Sequence, residues 1–291
     1  MINPNQFGGK ARVNNRAIQH EIIIEKDTVD KQYWKDLWNY RELFFFLAWR
    51  DIKVRYKQTV IGVAWALLRP ILTMLVFSFV FGELAGLPSE EGVPYPIMVF
   101  TALLPWQFFA HSLSEGSNSL IGNVNLVSKV YMPRLIIPAS TIVVNLIDFF
   151  ISFGVLALLM IYFQYVPDIR ILLMPFFLVM AFITAYGFTV WFCALNVRYR
   201  DFRYIIPFVV QFGLYISPVG FSSSIVPDEW RLIYSLNPMV GVIDGFRWSI
   251  LGRDVAIYWP GFILSMILIT TVAIFGLMYF RKTEKSFADV L

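Results

Sequence analysis

The chain has 291 residues, of which 58% are hydrophobic, 18% aromatic and only 15% charged, and its mean hydropathy is +0.63, outside the usual range of soluble domains. One core in a chain of this length cannot hide so much apolar surface, which excludes a soluble enzyme. The formal charge of +4 and pI near 9.1 do not imply nucleic acid, because the basic residues flank apolar runs, where topology and anionic lipid account for them.

Residues 1–30 are polar, show no periodicity and lack both an apolar h-region and a small-residue cleavage site, so they predict an extension that stays on the side where it is made. Residues 31–58 follow as a basic approach to the membrane. Within them, Lys31 to Leu47 interleaves Trp34, Leu37, Trp38, Phe44 and Phe45 with Lys31, Lys35 and Arg41. That pattern suits a helix in the cytoplasmic interface with its rings at headgroup depth, or else a helix packed on a partner protein.

A bilayer core of roughly 30 Å needs about 20 apolar residues of helix, and six stretches supply them: Val60 to Leu87, Val93 to Leu113, Leu135 to Val166, Ile171 to Val197, Tyr204 to Val226 and Val255 to Phe280. The predicted class is therefore an all-α integral membrane protein, with a six-span domain over 59–281 and a tail over 282–291. Lys and Arg crowd the N-terminal arm, the loop with Lys129 and Arg134, the loop with Arg198, Arg200 and Arg203, and the tail with Arg281, Lys282 and Lys285. The positive-inside rule then places both termini in the cytoplasm.

Two connections are more than loops. Glu115 to Arg134 is too polar to span, yet Leu120, Ile121, Val124, Leu126, Val127 and Val130 predict a short amphipathic helix that Pro133 stops. It either docks a partner or covers its own bundle. Between spans five and six, Trp230 to Leu236 and Met239 to Leu251 are split by Asn237 and Pro238. Each is too short to cross, so two short re-entrant or interfacial helices on the outer face are expected, forming a gate or a surface cap.

Charges inside the spans are costly. Only thirteen uncharged residues separate Arg69 from Glu83, roughly 20 Å of helix, so one of the two lies in the membrane or snorkels to its edge. Asp148 sits midway in span three, where a carboxylate costs about 2.5 to 3.5 kcal/mol unless paired or hydrated. It should face the bundle interior, as a pathway residue or as a structural anchor, with Arg69 its nearest partner by charge. Phe100, Trp106, Phe109, Phe149 and Tyr215 either line a path on which sugar rings stack or pack as ordinary membrane aromatics.

Motifs for catalysis are missing from the sequence. It has no GxxxxGK[ST] phosphate loop, no HExxH and no GxSxG, while Cys193 stands alone in an apolar run and His20 and His111 have no ligand company. No catalytic, metal or cofactor residue is assigned.

Four blocks in order, WRDIKVRYKQTVIGVAWALLRP (Trp49 to Pro70), LVSKVYMPRLIIPAS (Leu126 to Ser140), NVRYRDFRYIIPFVVQFGLYISPVGF (Asn196 to Phe221) and LNPMVGVIDGFRWSILG (Leu236 to Gly252), resemble the permease subunits of ABC exporters for cell-surface polysaccharides. The resemblance covers nearly everything from Tyr33 onward. One departure is Arg69, where the family more often carries an uncharged residue before the proline. It implies a type-2 ABC exporter in the bacterial cytoplasmic membrane. Two copies of this chain would work with two separate cytoplasmic ATPase subunits, which bind the ATP and Mg, to move a polyprenyl-diphosphate-linked O-antigen, capsule or teichoic-acid type polymer outward. A lipid or drug exporter of the same superfamily is the alternative, ahead of a membrane glycosyl- or acyltransferase.

The resemblance also distributes roles. The loop after span two becomes an ATPase-coupling helix over about Ser119 to Met132, with Asn123, Asn125, Leu126, Val127, Lys129 and Arg134. The pair after span five becomes an outer gate with Trp230, Asn237, Pro238, Phe246 and Arg247. Arg50, Lys53, Arg55 and Lys57, with Arg69, are the candidates for attracting the lipid diphosphate, against ordinary positive-inside patterning.

Overall fold

The computed structural model describes residues 29–57, 62–90, 92–252 and 255–287, so all but the last two residues of the expected 1–30 extension lie outside the described residues. Those residues carry eleven α-helices and no strand. In chain order they are α1 (Val29–Asn39), α2 (Arg41–Lys57), α3 (Gly62–Phe77, continued by a π-helical stretch Ser78–Leu84), α4 (Tyr95–Gly122), α5 (Val124–Lys129) and α6 (Ile136–Tyr162). Then follow α7 (Met174–Arg198), α8 (Phe202–Ile216), α9 (Asp228–Tyr234), α10 (Pro238–Leu251) and α11 (Trp259–Thr283).

Five stretches are long and apolar enough to cross a membrane: Leu67–Leu84, Tyr95–Gly122, Ile136–Tyr162, Ile169–Arg198 and Trp259–Ser286. They coincide with the first, second, third, fourth and sixth expected spans. The fifth, α8, has 15 residues, or about 22 Å, and ends ten residues before Val226. The cause is Pro218: Ser217 before it is extended, with φ −88° and ψ 152°, because the proline ring excludes helical backbone at the preceding residue.

α4 departs in the other direction. It runs nine residues past Leu113, through a polar stretch expected to be loop, and is the central helix, with 83% of its apolar window buried against 17% for the first span. Its polar end is satisfied within the bundle. Asn196 of α7 donates through Nδ2 to the Ser117 carbonyl and to Asn118 Oδ1, each at 3.0 Å, and Asn118 donates to the Ser114 carbonyl at 2.7 Å.

Lipid tails give little hydrophobic drive to helix association, so close approach matters more. At the α7–α11 crossing a Cβ on Gly187 would lie 2.7 Å from the Ala273 Cα, and one on Gly276 would meet the Gly187 carbonyl. The two glycines let these backbones touch. α8 reaches α4 in the same way, because a Cβ on Gly213 would sit 2.6 Å from the Trp106 ring.

The bundle has two unlike ends. At the basic end, α1, α2 and α5 gather with the C-terminal end of α11: Tyr33 donates to Glu284 at 3.1 Å and Arg281 lies 4.4 Å over the Tyr33 ring. The expected helix over Lys31 to Leu47 is thus two helices, α1 and α2, with a kink at Tyr40 across which the Tyr40 N–H to Asp36 and Phe44 N–H to Tyr40 backbone bonds persist. Trp38, Phe45, Phe46 and Trp49 remain exposed along them. At the opposite, hairpin end stand α9 and α10, separated at Asn237 and Pro238 as the apolar pattern predicts.

Candidate functional site

The basic end is organised by one cation. Arg55, near the end of α2, donates through Nη1 to Asn145 Oδ1 at 2.9 Å and to Asp148, both on α6, and through Nη2 to Glu115 on α4. Tyr56 donates to the other Asp148 oxygen. Asp148 therefore pairs with Arg55, not with Arg69, which is exposed on α3. The correction has a simple cause. Beyond the kink at Tyr40, α2 runs back along α6, which brings a residue 93 positions away beside the carboxylate, while the Arg69 side of α3 looks outward. Tyr56, Asn145 and Glu115 were absent from the candidate set. Polar type alone does not single them out, but the spacing of Asn145 from Asp148 on one helical face does.

The other candidate cations separate into two groups. Arg50 is held by Asp51 at 2.8 Å and donates to Asn123 Oδ1 at 3.2 Å, tying α2 to the start of α5. Lys53 and Lys57 are exposed, with the Lys53 ammonium 5.2 Å over the Trp49 ring. Among the described candidates, Lys53 and Lys57 present open charge at the foot of the first span.

α5 is shorter than expected, six residues, because α4 has absorbed Ser119 to Gly122. Val127 is buried and Leu126 half-buried against a core that includes Leu47, Met132 and Leu135, whereas Asn125, Lys129, Val130 and Tyr131 face out. Arg134, just beyond, is half-buried. The short helix covers its own bundle on one face, as one of the two expectations has it, and leaves its other face open.

At the hairpin end, Asn237 works twice. Its Oδ1 caps α10 by accepting from the Met239 N–H at 3.1 Å, and its Nδ2 donates to Ser217 Oγ at 2.9 Å, with Pro238 at the first helical position. Arg247, 1% exposed, donates to the Phe221 carbonyl at 2.8 Å and to the Val219 carbonyl at 3.2 Å. It thereby staples α10 to the irregular segment that follows α8. Burial lowers its pKa from the ordinary value. Burial also pushes the nearby Asp244 carboxyl up to about 6, against the opposing pull of Arg247 and a hydrogen bond from Ser223. Of the expected gate residues only Trp230 is well exposed; Phe246 and Arg247 are core.

The aromatic path needs a similar correction. Phe100, Trp106, Phe109 and Phe149 are each at most 5% exposed and pack on other rings, Phe109 on Phe188 at 5.5 Å and Phe149 on Phe246 at 5.9 Å. They fill the interior of one chain, in the single core cluster that α4 and α6 share. Tyr215 alone is open, at 58%, stacked on Phe77 at 6.3 Å.

The sequence model described as ABC-2 type transporter matches residues 42–251, from the first turn of α2 to the last residue of α10. Among characterised proteins, the chain is 25% identical over 258 residues to an O-antigen export system permease protein RfbA of Klebsiella pneumoniae, covering 86% of this chain and 95% of that protein. It is 28% identical over 216 residues to the RfbA permease of Myxococcus xanthus, covering 73% and 82%. Similarity extends, at 22% over 252 residues, to the polysialic acid transport protein KpsM of Escherichia coli, covering 81% and 92%.

Proposed function

This chain belongs to the ABC-2 type transporter family, and we propose that it is the membrane permease of an ATP-driven exporter for a polyprenyl-diphosphate-linked cell-surface polysaccharide. The observation that carries the reading is the end-to-end similarity to O-antigen permeases, 86% of this chain against 95% of one relative, on a multi-span bundle with unlike ends. Both termini and α5 lie in the cytoplasm in this reading. α8 completes six crossings and the α9–α10 pair dips into the outer leaflet.

The permease works as two copies with two cytoplasmic ATPase subunits, which hold the ATP and Mg. Motion of those subunits enters through the open face of α5 and passes to α4, which is continuous with it through Asn123, and to α2 through the Arg50–Asn123 bond. The path forms between the copies, along the first span and α8, whose outward faces carry Leu72, Leu75, Phe79, Phe208, Phe212 and Tyr215. Lys53 and Lys57 attract the lipid diphosphate at the inner surface, each gaining about 1 kcal/mol near anionic headgroups.

The coupling role is tested on α5 itself. The double substitution K129E/V130D changes only exposed positions, so the permease is expected to reach the membrane in normal amount, with its unfolding midpoint unchanged. Co-purification of the ATPase is expected to fall at least about tenfold, as for loss of central contacts in a small interface. Undiminished ATPase recovery would contradict the role given to α5.

A further inference from the structure

The hairpin end encloses a cavity of about 500 Å³ that the export reading does not use. Its walls come from the Ser222–Ser224 turn after α8, from α9 and α10, from 255–258 and from the first turn of α11, with Pro88 to Glu90 at its lip. The lining is polar chemistry on an aromatic floor: the Asp244 and Glu90 carboxylates, the hydroxyls of Ser222 to Ser224 and Ser235, and the rings of Tyr258 and Phe262.

Two details show that the lining is organised. Arg231 is fixed by Asp228 at 2.9 Å, by the Val226 carbonyl at 3.1 Å and by the Ser224 carbonyl at 2.9 Å, with its guanidinium 5.9 Å over the Tyr258 ring. A cation is thus set at the cavity wall in one position. Tyr234 also lines the cavity, and its hydroxyl is buried with no hydrogen-bond partner among the described residues, although a buried phenol ordinarily finds one. A bound group supplying that partner would complete the site.

The chemistry selects among ligands. A lipid tail would leave two carboxylates and four hydroxyls without water, at heavy cost. No group of three His, Cys, Asp or Glu able to hold a metal occurs among the described residues, and Arg231 adds a positive charge where an ion would sit. A saccharide ring matches on each count. Its vicinal hydroxyls pair with carboxylate and hydroxyl groups, its C–H face stacks on an aromatic ring, and its size suits a site in the usual range of about 300–1,000 Å³. We propose that this cavity is a saccharide-binding site, in which Asp244 and Tyr234 bind the hydroxyls of one sugar ring and Tyr258 carries its apolar face. The proposal rests on the export reading for the source of the glycan and for the hairpin end facing outward.

The test uses the full-length chain in nanodiscs, with N-acetylglucosamine, mannose and N-acetylneuraminic acid as probes and saturation-transfer NMR as the readout. At least one probe is expected to bind the wild type at about millimolar affinity, as for a dozen atoms held by a few hydrogen bonds. Y234F, which removes one oxygen, and D244N are each expected to weaken it about tenfold. Absence of any saccharide signal in the wild type would overturn the proposal, as would an equal signal in both variants, or calcium binding that displaces the sugar. Surface polymer measured in the same strains separates the two ideas. Export that is intact without sugar binding refutes the cavity alone, whereas a permease-deletion strain with normal surface polymer refutes the export reading.

Discussion

Arg55→Gln is expected to be among the most damaging single changes in the chain. It leaves Tyr56 as the one donor to the Asp148 carboxylate among the described residues and removes the bond to Asn145, so α2 loses its charged ties to α4 and α6 together. Breaking one side of a buried pair costs more than the pair contributes, because a desolvated charge is left behind. Arg55 and Asp148 keep 29% and 16% side-chain exposure, so the expected cost is about 2 to 4 kcal/mol, below the full penalty for a wholly buried pair. The midpoint of thermal unfolding in detergent reads it directly. Asp148→Asn, which retains neutral hydrogen bonding, should cost less than half as much, and the double variant R55Q/D148N should be more stable than R55Q alone. An R55Q protein as stable as the wild type would remove the ion pair from the account.

A second large effect is expected at the opposite end. Arg247→Met keeps the volume of the side chain but leaves the Val219 and Phe221 carbonyls without their donor and removes the cation beside Asp244. Two lost hydrogen bonds to a charged group amount to about 3 kcal/mol or more. The segment 217–226 should lose amide-exchange protection while α7 and α11 keep theirs, because the damage is confined to what Arg247 staples. Arg247→Lys restores the charge but not the two-pronged geometry, so it should fall between the two. Uniform loss of protection across all helices would show that Arg247 supports the whole bundle instead.

The amino-acid sequence made much of this legible, and the failures have identifiable causes. Spans one to four and six follow from apolar length, and the break at Asn237 and Pro238 from turn chemistry. The early end of α8 was also signalled, by the Ser217–Pro218 pair within an otherwise apolar run. The extension of α4 was not, since Ser112 to Gly122 has loop composition and becomes helix only when Asn196 and the α7 surface satisfy its polar groups. Phe100, Trp106, Phe109 and Phe149 could not be assigned to path or core by residue type, because both environments select the same rings. The Asp148 partner was hidden for a third reason: α2 folds back along α6, and nothing local to either segment specifies that contact.

In the proposed function this chain forms the membrane path for a glycan whose movement a partner ATPase drives. Its most direct test is reconstitution of the permease with that ATPase in proteoliposomes bearing a lipid-linked glycan on the outer surface, with protection of the glycan from an added glycosidase as the readout. Protection should appear only with ATP and only for vesicles whose ATPase sites face the glycosidase. It should disappear when the ATPase phosphate-loop lysine is replaced. Protection that develops without ATP under an ion gradient, or an ATPase that hydrolyses ATP in the complex while the glycan stays fully accessible, would contradict the account.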